Sequence, residues 1–313
     1  MANRILVTGG AGYLGSILCE HLLAAGHTVT VVDSLLYLQT PSLFHLCANP
    51  KFNFMFSDAR DERTMAGLVK DADVIIPLAC VVGAPACDRD PISAKSINVD
   101  AIKLINKLRS KEQLVVYPTT NSGYGTKSGD VYCTEETPLE PISLYGQTKV
   151  DAEMELLNSP NAITLRLATV FGLSPRMRLD LLVNHFVYAA VTDHFIVIFE
   201  KHFKRNYVHI RDVADCFLHC INNSQKMIGK PYNCGLDAAN LSKEELALTI
   251  KKHVSDFYIH FGEIGQDPDK RNYIVSNKRL REAGFEARRS LDDGIQELIK
   301  GYRLLRRPPL KNA

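Results

Sequence analysis

Short apolar runs at residues 5–7, 28–32, 52–56, 74–78, 114–117 and 163–167 alternate with longer stretches of mixed polarity. Each run is close to continuously apolar and is followed by turn residues or an amphipathic segment, the pattern of strands buried on both faces and separated by covering helices. The alternation predicts an α/β fold, a doubly wound parallel (Rossmann) sheet. Loops at the carboxyl ends of such strands carry the ligand, so Thr8, Asp33, Asp58, Ala79, residues 119–122 and residues 167–170 are expected to face one crevice.

Beyond Gly172 the pattern loosens. Helices are predicted over residues 179–191, 212–222 and 243–253, with a charged region at 200–211 and a strand end at Tyr232-Asn233. We read a Rossmann domain over 1–172, to which 206–223 returns. Residues 173–205 and 224–313 form a smaller C-terminal lobe laid over the crevice. No internal repeat or low-complexity linker interrupts the chain.

The first apolar run leads into Thr8-Gly9-Gly10-Ala11-Gly12-Tyr13-Leu14-Gly15 and then a helical pattern. Gly9, Gly12 and Gly15 have the spacing that lets a chain turn tightly, approach a pyrophosphate and pack helix on strand. Tyr13 and Leu14 open the helix whose N-terminus would face the phosphates. The second strand ends in Asp33, eighteen positions past Gly15. A carboxylate there accepts hydrogen bonds from an adenosine ribose and repels a 2′-phosphate. Ser34, Leu35 and Leu36 follow with no Arg among them, so the expected dinucleotide is NAD, not NADP.

Composition narrows the setting. In 313 residues no apolar run approaches the ~18 needed to span a membrane, and Met1-Ala2-Asn3-Arg4 runs straight into a strand without a leader pattern. A cytoplasmic address with no membrane partner is expected. Formal charge is +2, from 37 basic and 35 acidic residues, so no overall field recruits nucleic acid. The basic tail of Arg303, Arg306, Arg307 and Lys311 reads as a solvated terminus. Eight cysteines without a CxxC pair read as reduced thiols. Cys216, His219 and Cys220 share a helix face, but with no second ligand pair nearby they read as core, and no metal is expected.

Candidate chemistry lies in Tyr145-Gly146-Gln147-Thr148-Lys149, where a spacing of four puts a phenol and an ammonium on one helix face. A phenol of pKa ≈ 10 is about 0.1% ionised at pH 7, and lowering that value by ~3 units takes ~4 kcal/mol. Lys149 and an oxidised nicotinamide are expected to supply it, making Tyr145 a general base toward a carbinol. Thr120, just after the fifth run, supplies a hydroxyl to orient the reacting oxygen. Thr120, Tyr145 and Lys149 form the expected catalytic set.

These segments, with Asp58-Ala59-Arg60-Asp61, Leu78-Ala79, Asn98-Val99, residues 119–125, Arg205-Asn206-Tyr207-Val208-His209-Ile210-Arg211-Asp212, Tyr232-Asn233 and residues 267–271, resemble the extended short-chain dehydrogenase/reductases. The likeness is to the NAD-dependent nucleotide-sugar epimerase/dehydratase family and covers essentially the full length. It implies a nucleotide-sugar-binding lobe, adenine contacts from Asp58 and Ala59, cofactor contacts from Leu78 and Ala79, and a hold on the nicotinamide ribose by Lys149. It further implies that Arg205 and Arg271 pair with the substrate diphosphate, which suits the fork geometry of guanidinium. Val82, Asn121, Ser122 and Thr169 are expected at the sugar, and Arg176, Arg178 and Asn184 at the nucleotide half.

Departures narrow the reaction. The dehydratase branch carries an Asp-Glu couple where this chain has Asn121 and Ser122, which cannot exchange protons near neutral pH, so dehydration is not expected. Pro77, Pro118 and Thr169 also depart from the family pattern. The 82–85, 120–125 and 174–178 motifs are most similar to a bacterial subgroup acting at C4 of nucleotide-linked sugars, including GDP-manno-heptose dehydrogenases of capsule pathways. A 4-epimerase with transient C4 oxidation, on a UDP- or GDP-sugar, shares the same first half-reaction. A non-catalytic NAD-binding sensor is the alternative of another class. The resemblance implies a homodimer through residues 98–108 and 145–157, with Ile102, Ile105, Val150 and Leu157 as outward apolar positions.

Overall fold

The computed structural model describes residues 2–127, 132–263 and 271–304. Arg306, Arg307 and Lys311 of the basic tail, and positions 267–270 of the motif ending at Arg271, lie outside the described residues. Ten strands matter here: β1 (Arg4–Thr8), β2 (Thr28–Asp33), β3 (Phe52–Phe56), β4 (Val74–Pro77), β5 (Leu114–Thr120), β6 (Ala162–Leu167), β7 (Thr169–Phe171), β8 (Lys204–His209), β9 (Pro231–Cys234) and β10 (Asn240–Ser242). Seven form one parallel sheet in the order β9-β6-β5-β4-β1-β2-β3. Strand order reverses between β1 and β4, which opens a crevice at their carboxyl ends.

Side chains alternate across this sheet as the two-residue period of a strand requires. Ile5, Val7, Val29, Val31, Val74 and Ile76 enter one apolar layer with α1 (Tyr13–Ala24), while Leu6, Val32, Ile75 and Val115 enter another. That second layer is completed by Met65 and Val69 of α2 (Glu62–Asp71), Ile102 and Ile105 of α3 (Ala101–Leu108), and Ala152 and Leu156 of α4 (Leu144–Leu157). Ile102 and Ile105 are 2% and 1% exposed. They are therefore core residues and cannot be the outward dimer positions expected of them.

Three sequence expectations need adjusting. Residues 52–56 were expected to be buried on both faces, yet β3 is the terminal strand and Phe56 is 68% exposed. The fifth run was read as ending at Tyr117, but β5 continues through Pro118 to Thr120. Leu114 N–H donates toward β4, at Asp73, and Val115 N–H toward β6, at Asn161, so the nitrogen of Pro118 faces the β4 side. There the ladder already ends at Ile75–Val115, and a missing N–H costs no ladder bond. Finally, β9 falls inside the stretch assigned to the lobe and yet pairs with β6 in the central sheet.

Four more helices, α5 (Leu182–Thr192), α6 (Ile210–Asn222), α7 (Lys243–His253) and α8 (Leu291–Leu304), accompany a smaller sheet of order β10-β8-β7. β7 follows β6 after one residue, so the two sheets are joined where the crevice lies. Helix α7 starts in a capping box: Ser242 Oγ accepts the Glu245 N–H at 3.2 Å and Glu245 accepts the Ser242 N–H at 2.8 Å. Ser242→Ala should lower unfolding stability by about 1 kcal/mol, read as a shift in urea midpoint at unchanged slope. Among the described residues no helix is long and apolar enough to cross a membrane.

Candidate active site

A cleft of about 780 Å³ runs along the carboxyl ends of β1, β2, β4, β5 and β6. Its floor is the turn from β1 into α1. Gly9 has φ +72°, and a Cβ there would lie 2.5 Å from the Ala79 nitrogen. A Cβ on Gly15 would lie 2.6 Å from the Gly10 Cα. Only hydrogen fits at either position, so the backbone forms an open cradle at the start of α1, with Gly9, Gly12, Tyr13 and Leu14 lining it.

Tyr13 contributes backbone rather than hydroxyl. Its O–H donates to Gly172 O at 2.8 Å and accepts from Asn184 Nδ2 at 3.2 Å. Asn184, fully buried, also accepts the Gly172 N–H at 3.0 Å. It does not line the cleft, so its expected contact with the nucleotide half is replaced by a structural role behind Tyr13.

Asp33 lines the cleft at the carboxyl end of β2, where its carboxylate accepts N–H bonds from Ala11 at 2.9 Å and Leu35 at 2.8 Å. Burial raises its pKa, and the two backbone bonds and the charge of Arg176 oppose that shift. Arg176 lines the cleft beside Asp33. Its Nε donates to Gln39, and its guanidinium carbon lies 4.9 Å from the Tyr37 ring. The sequence around Asp33 holds no Arg, but the chain delivers one from the second half. Asp58 also lines this end and is held by Arg60 through Nε at 2.9 Å and Nη2 at 2.6 Å, while Ala59, Leu78 and Ala79 line the walls.

The middle of the cleft holds the expected catalytic set. Thr120 caps a short 3-10 turn (Asn121–Tyr124), accepting the Ser122 N–H at 3.1 Å and donating its O–H to Ser122 Oγ at 3.0 Å. Tyr145 opens α4, whose cap Ser143 accepts the Gly146 N–H at 3.1 Å. Thr120, Ser122, Tyr145 and Lys149 all line the cleft. Asn121 does not: it is 1% exposed, with both side-chain polar atoms buried, because the turn that presents Ser122 directs its neighbour inward. Its expected sugar contact is withdrawn.

Electrostatics here differ from expectation. Burial pushes the Tyr145 phenol up, and the cations that oppose this are Arg178 and Arg271, not Lys149. The Lys149 ammonium sits 3.9 Å from the centroid of the Tyr117 ring, and burial lowers its pKa while Cys80 and Glu153 raise it. A desolvated phenol ionises reluctantly, so the protein alone does not pre-form the phenolate.

At the far end, buried Arg205 lies with its guanidinium carbon 5.6 Å from the Tyr273 ring. Arg271 donates to Ser122 Oγ, and Lys243 Nζ donates to Phe199 O at 2.9 Å. Val82, Thr169 and Arg178, the last paired with Asp180, line the same space. Sequence reasoning missed Lys243, Cys80, Tyr37 and Gln39. Lys243 lies within a Ser-x-x-Glu start signal, Ser242 to Glu245, which marks a helix but not the side of it that faces a ligand. Cys216 and Cys220 are in the core, and His219 Nε2 bonds Ala283 O at 2.9 Å. Among the described residues no group of three potential ligands is placed to hold a metal.

Residues 5–235 match the model of the NAD dependent epimerase/dehydratase family. The chain is 30% identical to an uncharacterized UDP-glucose epimerase, YtcB, of Bacillus subtilis (strain 168), over 95% of this chain and 96% of that one. It is 25% identical to UDP-glucuronic acid decarboxylase 1 of Arabidopsis thaliana, over 96% of this chain and 70% of that one. The crystal structure of a UDP-glucuronic acid 4-epimerase from Bacillus cereus, in complex with UDP-glucuronic acid and NAD, superposes with TM-score 0.86 at 24% identity. It covers 96% of this chain and 99% of that chain.

Proposed function

Because the chain belongs to the NAD dependent epimerase/dehydratase family, we propose that it oxidises C4 of a nucleotide-linked sugar. The observation that carries this reading is the order of groups along one cleft: glycine cradle and Asp33 at one end, Thr120, Tyr145 and Lys149 in the middle, Arg205, Lys243 and Arg271 beyond. The cradle fits NAD, since glycines at 9 and 15 let the turn fold tightly on Ala79 and Gly10 and so line the cleft with bare backbone at a helix N-terminus. When bound, NAD supplies the acceptor for the hydrogen that leaves C4 with its electron pair.

The groups along the cleft divide the work. Ionised Tyr145 takes the proton from the C4 hydroxyl, whose oxygen becomes a carbonyl. Thr120 and Ser122 fix that oxygen by hydrogen bonds, and Lys149 holds the nicotinamide ribose from α4. Arg178 and Arg271 favour the ionised phenol, and Arg205, Lys243 and Arg271 take the diphosphate. Val82 and Thr169 border the sugar. Asp58 and Ala59 flank adenine, and Leu78 and Ala79 complete the wall.

The motifs at 82–85, 120–125 and 174–178 favour GDP-manno-heptose in a surface-polysaccharide pathway. The names of the relatives favour a second reading, 4-epimerisation of a UDP-sugar, in which the keto sugar turns over and is reduced on its other face. Incubating the protein with GDP-, UDP-, CDP- and dTDP-sugars while following C4 by NMR separates them. A 4-keto product supports dehydrogenation, an inverted C4 supports epimerisation, and neither, with NAD still bound, supports a binding protein. The chain has no Trp, so reduced nicotinamide is readable without interference.

Asp33 gives a cofactor test. In Asp33→Ser the carboxylate that repels a 2′-phosphate is gone while Arg176 remains beside it. The preference for NAD over NADP should narrow by roughly 10–100-fold, the worth of a charged hydrogen bond and its repulsion. An unchanged preference in binding titrations overturns the assignment. A cytoplasmic homodimer completes the proposal. Met154, 49% exposed on α4, with partly buried Val150 and Leu157, would meet the partner in place of Ile102 and Ile105.

A further inference from the structure

We propose that buried Arg166 is a positioning residue that locks the helix carrying Tyr145 and Lys149 against the turn carrying Thr120 and Ser122. The inference rests on the C4-oxidation reading above. Arg166 projects from β6 and is 5% exposed. Its Nε donates to Glu153 Oε1 at 2.9 Å, and its Nη1 donates to Tyr124 Oη at 3.1 Å and Glu135 O at 3.0 Å.

Glu153 and Tyr124 each belong to one half of the catalytic set. Glu153, 1% exposed, continues the four-residue stripe Tyr145, Lys149, Glu153 along α4 and also accepts the Thr164 hydroxyl at 3.0 Å. Tyr124 is the last residue of the turn that Thr120 caps; it is fully buried and donates to Asn233 Oδ1 at 2.7 Å. One guanidinium therefore spans the two elements whose hydroxyls must reach the same reacting oxygen. Misplacement by about 1 Å costs catalysis about 100-fold, so a rigid tie between the elements has a catalytic consequence.

Glu153 has a second consequence, through charge. The groups facing the Lys149 ammonium are Tyr117 of β5, Cys80 of the loop after β4, and Glu153 one turn further along its own helix. Of these, ionised Glu153 supports the cation, while burial opposes it. Glu153→Gln keeps an oxygen for Arg166 and Thr164 but removes the charge. Lys149 then loses its proton at lower pH, and activity that needs the cation falls off earlier as pH rises.

The test uses Tyr124→Phe and Glu153→Gln in the full chain, with a sugar that the wild-type protein turns over. Tyr124→Phe should lower kcat by about 10–100-fold, with KM and the Kd for NAD within about threefold. Glu153→Gln should move the alkaline limb of the kcat profile to lower pH, and the titration of Lys149, followed by NMR in 15N-lysine-labelled protein, should move with it. Wild-type kcat in Tyr124→Phe, a kcat loss matched by loss of NAD, or an alkaline limb and Lys149 titration unmoved by Glu153→Gln each overturn the proposal. If the wild-type protein oxidises no nucleotide sugar, the proposed function fails by itself. The Lys149 titration needs no substrate and still decides whether Glu153 acts on the cleft.

Discussion

Tyr145→Phe should fold, bind NAD as the wild type does, and lose turnover by roughly 10²–10⁴-fold, the usual worth of a positioned general base. The substitution removes one oxygen from a side chain that makes no hydrogen bond to hold the fold together among the described residues: α4 is capped by Ser143, and Tyr145 packs against the small cluster of Val81, Cys87 and Ala94. KM should change little, because the lost interaction belongs to the proton transfer rather than to the diphosphate.

The pH dependence has a defined sign. The phenolate is the base, so kcat/KM for the wild type should rise with pH as Tyr145 ionises. Burial moves that rise upward, and Arg178 and Arg271 move it downward. In Tyr145→Phe the rise should vanish. Turnover near the wild-type level in that variant, or an unchanged pH profile, removes Tyr145 from the mechanism.

Gly9→Ala should abolish measurable NAD binding and destabilise the fold by about 2–4 kcal/mol. Two independent costs act at this position. The left-handed backbone at φ +72° is strained for alanine, and the new Cβ would lie 2.5 Å from the Ala79 nitrogen and 2.7 Å from its Cα. Neither is a flexible side-chain end, so relief requires β1 and β4 to move apart. That opening is where the two strands form the cleft floor, and Gly9 N–H, which donates to Val32 O at 2.8 Å, would move with it. Calorimetry with NAD and a urea titration read the two effects separately. A variant that binds NAD with wild-type affinity would show that the turn does not form the cofactor cradle.

Much of this molecule is legible without coordinates, for reasons that particular residues make plain. Six apolar runs separated by helical stretches permit little other than a parallel sheet, because strands without a polar face need cover on both sides. The edge position of Phe54 and Phe56 was not legible, since the run looks the same in the middle of a sheet as at its margin. Gly9, Gly12, Gly15 and Asp33 could be read because strand, turn and helix follow one another within a few residues. Tyr145 and Lys149 could be placed on one face by helical spacing alone.

Long-range geometry accounts for the rest. Arg176 faces Asp33 from 143 residues away, and its hydrogen bond with Gln39 spans 137, so no local pattern could pair it with either. Asn184 and Asn121 have side chains suited to a ligand and are buried instead. Lys243 is an ordinary helix-start lysine until β8 and β10 bring it beside Arg205.

Local periodicity and spacing suffice for the parallel sheet, the glycine turn, the acid at the end of β2 and the Tyr-Lys stripe. Tertiary structure alone decided which cations meet the phenol, which amides face inward, and that one guanidinium joins helix to turn. Those outcomes depend on contacts between residues far apart in the chain, where burial and charge are set by packing and no local pattern records them.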